Sequence, residues 1–365
     1  MRLGIFMPTT NDGYILSTAS PSFMPTYELN RTVAIEAEHR GFDFVLAMTK
    51  FRGYGDGDGF WDYAVDPLAL SGLLIEATTT LGIWGSVAAP TIHPAMAART
   101  AASYDEASGG RFRLNIVAGW NVSEYSQMGL WPENYHADRY RYTREYITVL
   151  RGLWETGQFT HRGEFFTLDD CVVKPTPAHG VKVIVPGQSG NSLGVAADLA
   201  DVNFVLGGLD DVATARTALL AATRSNGRAV ESAALYGVIT APTDAEALDI
   251  ANDYIAHTDF DSAIALKRAA TSDTGGNAVQ RWLEQDEAAR LIAGYDHPDL
   301  PVVAQVPAFF HPHIIGSHER VARYLDALET TAGVGSAVLS FPDFRDDLLS
   351  FTDHVMPRMA TLEHA

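Results

Sequence analysis

Lys50 is one of only four lysines in 365 residues. It closes the run Leu46-Ala47-Met48-Thr49-Lys50, in which apolar residues end in a hydroxyl and a cation. A cation there suits an anionic group such as a phosphate or a reduced flavin; the plainer alternative is a salt bridge at a rim. Asn115 stands inside Phe112-Arg113-Leu114-Asn115-Ile116-Val117, where a buried amide bonds either a ligand or a neighbour in the core. That run leads into Trp120-Asn121-Val122-Ser123-Glu124, and Ser86 sits in a similar apolar run. Arg139-Tyr140, after Asp138 at a helix start, offer a guanidinium and a hydroxyl to a phosphate, or form an ordinary exposed helix start. Ser189 and Gly190, ahead of another helix, provide a second phosphate contact.

Two other chemistries are weighed against this set. Gly190-Asn191-Ser192-Leu193-Gly194 matches the Gly-x-Ser-x-Gly turn of serine hydrolases. The preceding strand ends near Gly187, however, which places Ser192 inside a helix start instead of on a strained strand-end turn. His311-Pro312-His313 and the scattered carboxylates lack a spacing such as His-Glu-x-x-His, so no metal is expected. The run Gly53-Tyr54-Gly55-Asp56-Gly57-Asp58-Gly59 fits neither a nucleotide loop nor a calcium loop, and its aspartates repel phosphate; it reads as a flexible loop.

The elements that must position these residues alternate. Strand-like runs fall at about 2–8, 42–48, 81–89, 112–120, 181–187, 202–207, 233–240 and 335–341. Amphipathic stretches fall at 28–40, 67–79, 93–107, 138–155, 192–199, 211–224, 244–257 and 346–362. Eight strand and helix units predict a (β/α)8 TIM barrel, with the strand-end residues gathered at one mouth. Interruptions at 159–177 and 259–312 read as insertions in a single domain spanning 1–365, the second as a lid.

Composition agrees with a folded enzyme. The chain is 47% hydrophobic and 19% charged, enough apolar material for a full core. Twenty-six basic against forty-five acidic residues give a net charge of −19, which repels nucleic-acid backbones and acidic lipid. The lone Cys171 excludes an internal disulfide, and a reducing cytoplasm fits. The N-terminus reads as a first strand, and no run approaches the ~18 apolar residues of a membrane helix.

Ser108-Gly109-Gly110-Arg111-Phe112, followed by Asn115-Ile116-Val117-Ala118-Gly119-Trp120, resembles the fourth-strand signature of the luciferase-like flavin-dependent monooxygenases. Ile15-Leu16-Ser17-Thr18, Phe23-Met24-Pro25-Thr26-Tyr27-Glu28-Leu29-Asn30, Gly41-Phe42-Asp43-Phe44, Phe60-Trp61-Asp62, Glu124-Tyr125, Gln127-Met128-Gly129 and Gly187-Gln188-Ser189 are similar, in order, to the pyrimidine-opening members. The resemblance runs to about residue 207.

It implies a barrel of the bacterial luciferase-like type. FMN would be bound by Thr49, Lys50, Asn115, Glu124, Arg139, Tyr140 and Ser189. Leu46, Ser86, Asn115 and Trp120 would line an oxygen pocket and carry the catalysis. Reduced FMN would come from a separate NADH-dependent flavin reductase and react with O2 to a flavin peroxide that opens uracil or thymine to a ureidoacrylate peracid. Position 86 is Ser where the pyrimidine-opening members have Thr, and 87–93 differ, so pyridine cleavage or oxidation of a small sulfone is the alternative. A hydrolase acting through Ser192 and a non-catalytic flavin binder are the readings from other classes. The resemblance also implies a homo-oligomer, dimer or tetramer.

Overall fold

The computed structural model describes residues 1–54, 59–224, 226–271 and 300–362. In chain order the first half runs β1 (Arg2–Phe6), α1 (Tyr27–His39), β2 (Phe44–Ala47), α2 (Pro67–Ala77), β3 (Gly82–Ala88), α3 (Pro94–Ser108), β4 (Phe112–Val117), α4 (Val122–Ser126), α5 (Tyr135–Thr156), β5 (Gln158–Arg162) and β6 (Thr167–Val172). Then follow β7 (Lys182–Pro186), α6 (Gly190–Leu199), β8 (Val202–Val205), α7 (Leu209–Thr223), β9 (Glu231–Ala241), α8 (Asp244–Ala256), α9 (Phe260–Thr271), β10 (Val302–Ala304), β11 (His313–Ser317), α10 (His318–Thr330), β12 (Ser336–Ser340) and α11 (Asp346–His354).

β1, β2, β3, β4, β7, β8, β9 and β12 pair in that order, all parallel, and β12 returns to β1. This is the closed eight-stranded barrel expected from the alternation. Strands buried on both faces need apolar residues throughout, and β2 (Phe-Val-Leu-Ala) is buried at every position. The start of β4 has a local cause. Gly109 ends α3 in the left-handed conformation at φ 63°, where glycine carries no Cβ penalty. Arg111 then donates to the carbonyls of Ile75, Thr78 and Leu81 at 3.0, 3.1 and 2.7 Å, tying the end of α2 and the entry to β3 onto β4. The Ser-Gly-Gly-Arg-Phe signature is thus a structural clamp.

Inside the barrel, the N-terminal end is filled and the C-terminal end is open. Glu231 is paired with Arg2 and lies 3.7 Å from Arg113 and 3.9 Å from Lys182. Above them Phe44 stacks on Trp84 with centroids 3.8 Å apart. A Cβ on Gly4 would meet Phe44 at 2.2 Å, so only glycine lets this ring cross the axis.

The later chain departs from the sequence reading in one respect. β9 is eleven residues long, against four for β8. Residues 231–237 form barrel wall, whereas 237–241 pair in parallel with β11, which pairs antiparallel with β10. α8, expected to cover the barrel, belongs to this extension. Its Ala247 and Ala251 join Ile239, Ile315 and Phe309 in a second apolar cluster. The excursion therefore begins directly after β9, and the helix leading back into the barrel is α10. The hairpin β5/β6 accounts for the first insertion. Residues 272–299 of the second, and 55–58 of the glycine-rich run, lie outside the described residues.

Candidate active site

A cavity of about 380 Å3 opens at the C-terminal ends of the barrel strands. Leu46, Thr49, Lys50, Ser86, Asn115, Trp120, Glu124, Arg139 and Tyr140 all line it. Ser189 does not, but its hydroxyl donates to Tyr140 Oη at 3.2 Å. A wider groove of about 960 Å3 lies between the loop at 12–22 and α9 and contains none of these residues.

Lys50 and Glu124 form a buried pair, Nζ to Oε2 2.8 Å, with each side chain 4% exposed. Lys50 also donates to Tyr54 Oη at 2.8 Å, and the Phe51 N–H donates to Glu124 Oε1 at 2.7 Å. Burial pushes the Lys50 pKa down while Glu124 opposes that shift. The salt bridge is thus real, but it stands inside the cavity and not at a rim. Burial, then Glu124, raises the Tyr54 pKa and keeps its hydroxyl protonated. The ammonium lies 5.6 Å from the ring centroids of both Trp61 and Trp120.

Ser86 and Asn115 are register partners on β3 and β4. Asn115 Nδ2 donates to Ser86 Oγ at 2.9 Å, while Asn115 Oδ1 is buried without a partner among the described residues. A buried amide left half-satisfied marks a place for a ligand or water. Leu46, 1% exposed, stands on the adjacent strand β2. Trp120 reaches the cavity from its rim and is 37% exposed.

At the opposite end, α5 begins at Tyr135 after Asn134 and not at Asp138, so Arg139 and Tyr140 lie in its second turn and act through side chains alone. Arg139 sits 5.0 Å over the Tyr140 ring and makes no ion pair among the described residues. Ser189 caps α6 by accepting from Ser192 N at 3.3 Å. Arg139, Tyr140 and the start of α6 together suit a phosphate. Ser192 itself is fully buried, and its hydroxyl donates to the Ser189 carbonyl at 3.0 Å. It has no hydrolase geometry.

His311 and His313 are buried as neutral rings. His311 Nε2 is 2.8 Å from Ser340 Oγ, and His313 Nδ1 is 2.9 Å from the His311 carbonyl. Burial moves the His311 pKa well down and that of His313 to about 4.

The cavity also takes Phe6, Trp61, Phe204, Leu235 and Phe310, which sequence reasoning passed over. Phe6 ends β1 and was open to the same strand-end argument. Phe310 arrives from the extension and has no such signal.

The chain matches the description of the luciferase-like monooxygenase family over residues 1–334. It is 37% identical over 368 residues to a protein named pyrimidine monooxygenase RutA from a Bradyrhizobium species, covering 99% of this chain and 98% of that one. A protein of the same name from Cronobacter turicensis is 37% identical over 372 residues, covering 100% and 94%. Among solved structures, a long-chain alkane monooxygenase, LadA, superposes with a TM-score of 0.82 at 17% identity, covering 100% of this chain and 93% of that one.

Proposed function

Because the chain belongs to the luciferase-like monooxygenase family, we propose that it opens the ring of uracil or thymine oxidatively, giving a ureidoacrylate peracid. It is a flavin-dependent monooxygenase that consumes O2. The flavin is FMN, delivered reduced by a separate NADH-dependent reductase, and the whole chain acts as one domain in a cytoplasmic homo-oligomer. Among the described residues no helix is long and apolar enough to cross a membrane.

The residues present fit a flavin nucleotide. Among the described residues Arg139 has no acidic partner and Asn115 Oδ1 no donor, and Tyr140 and Ser189 put hydroxyls beside Arg139. Bound reduced flavin would supply the two electrons that activate dioxygen. The chain's own groups do the rest. Arg139, Tyr140 and Ser189 hold the phosphate. Lys50 and Glu124 fix the loop after β2 against α4. Asn115 Nδ2 keeps one hydrogen beyond that given to Ser86, and the Ser86 hydroxyl keeps its own. Both would donate to oxygen as negative charge develops on it. Leu46 makes that corner apolar, and Trp120 closes over the mouth and excludes water. A carbon–oxygen bond would form at the ring carbonyl, the bond from that carbon to its neighbouring nitrogen would break with a proton passing to the nitrogen, and both atoms of O2 would remain in the peracid.

The Ser86–Asn115 pair, half-satisfied and facing the cavity beside Leu46, is the observation that carries this reading. The test is turnover of uracil and thymine with FMN, a flavin reductase, NADH and 18O-labelled oxygen, with products read by mass. Two labelled oxygens in the ring-opened product are expected. Pyrimidines left unchanged beside turnover of pyridine or a small sulfone would overturn the substrate, and loss of label from every product would overturn the chemistry.

A further inference from the structure

The cavity crosses the barrel mouth. β1 and β7 are diametrically opposed among the eight strands. The phosphate-suited groups stand over the β4 and β7 side, and an aromatic group stands over β1. Its two principal members come from distant stretches of chain. Trp61 follows the loop after β2, and Phe310 precedes β11; their rings meet edge to face with centroids 4.4 Å apart at 67°.

Several contacts hold this corner rigid. Trp61 is 1% exposed and adopts φ 67°, a left-handed conformation that a bulky residue keeps only when its surroundings impose it. Its indole N–H donates to the Gly13 carbonyl at 2.6 Å, and Phe60 stacks behind it at 4.8 Å. The Phe310 N–H donates to the Tyr14 carbonyl at 3.1 Å. Trp61 touches the cavity, but buried and with its indole donor engaged elsewhere it presents almost no surface of its own; the half-buried Phe310 ring that it holds edge to face is the apolar surface the cavity meets.

We propose that Phe310, held in place by Trp61, is a specificity-determining residue for the reaction above, an aromatic corner that accepts a flat ring and disfavours a puckered one. This rests on the ring-opening reading for its substrate class. A planar heterocycle packs against the Phe310 ring, offset or edge to face, a geometry in which aromatic contacts gain beyond simple burial. A saturated ring of the same size and polarity, puckered and without a π face, gains the burial alone.

The test is calorimetric binding to FMN-loaded enzyme of matched neutral pairs: uracil against 5,6-dihydrouracil, thymine against 5,6-dihydrothymine, and 2-pyridone against 2-piperidone. Wild type should prefer the flat member by about tenfold, the magnitude such contacts support. Phe310→Leu, which keeps apolar bulk, should bring the pairs near parity with FMN affinity unchanged, and Phe310→Tyr should restore the preference. Wild type without preference in any pair overturns the corner, as does a Phe310→Leu variant that keeps the discrimination. A preference for flat rings without uracil or thymine turnover would overturn the ring-opening reading alone. Turnover without preference would overturn the corner alone.

Discussion

Lys50 and Glu124 occupy a place where neither charge would stand alone. Removing one partner of a buried pair leaves the other uncompensated, so Lys50→Met should cost about 3–5 kcal/mol in denaturant unfolding. Lys50→Met with Glu124→Gln should recover most of that loss, because the amide still accepts from the Phe51 N–H. Asn115 is expected to act on charge developing at oxygen. Asn115→Leu should lower ring-opened product by about 100-fold, the scale for one lost oxyanion donor. FMN oxidation should continue in that variant, appearing as hydrogen peroxide per NADH consumed. Asn115 was legible in sequence because an amide inside an apolar strand needs a partner wherever the strand lies. Lys50 was legible as a cation at a strand end, but its partner sits 74 residues away on α4, a five-residue helix with little periodicity to betray it. Trp61 was quoted only for resemblance, since a left-handed backbone at a tryptophan leaves no mark in residue type.

All eight barrel strands were legible as elements, because strands buried on both faces read as short apolar runs between turns. The extension was not. α8 carries a capping box, Thr243 with Glu246, directly after a strand, which is what a barrel helix also shows. Only pairing distinguishes them, since the far half of β9 takes β11 as a neighbour and α8 packs where the two meet. The five-residue β11 is short, but α10 is strongly amphipathic behind Ser317, a helix signal left unused once 244–257 had taken its place in the alternation. One side chain ties the tip of the hairpin β5/β6 to α5. Glu145 accepts from the backbone N–H groups of Glu164, Phe165 and Phe166 at 2.8–3.2 Å and lies 3.0 Å from His161. These donors lower its pKa against the opposing effect of burial. Glu145→Ala should release them, at a cost of about 2 kcal/mol. Hydrogen exchange should show faster amides at 164–166 and unchanged protection in β4.

Stability of the whole molecule should depend on pH through its buried histidines. His313 has a folded pKa of about 4 against 6.5, so below 6.5 the unfolded chain binds a proton that the folded one refuses. Stability is then full above 6.5, falls as pH drops toward 4, and levels below that. His311 shifts in the same direction. Asp347 works oppositely: burial raises its pKa to about 6 from 3.8, so it favours the folded state as pH falls through that window. Comparing variants separates the contributions. Between pH 7 and pH 5, wild type should lose about 2 kcal/mol more than His313→Gln, read as the change in unfolding midpoint at each pH. One feature of the architecture bears on ancestry. β9 is at once barrel wall and the first strand of the extension that carries Phe310, so the extension is not a detachable module. Transplanting it into a sister barrel would bring part of the recipient's wall with it. Divergence in ring preference among such enzymes should therefore accumulate as side-chain replacements at positions like 310, and wholesale exchange of the segment should be rare.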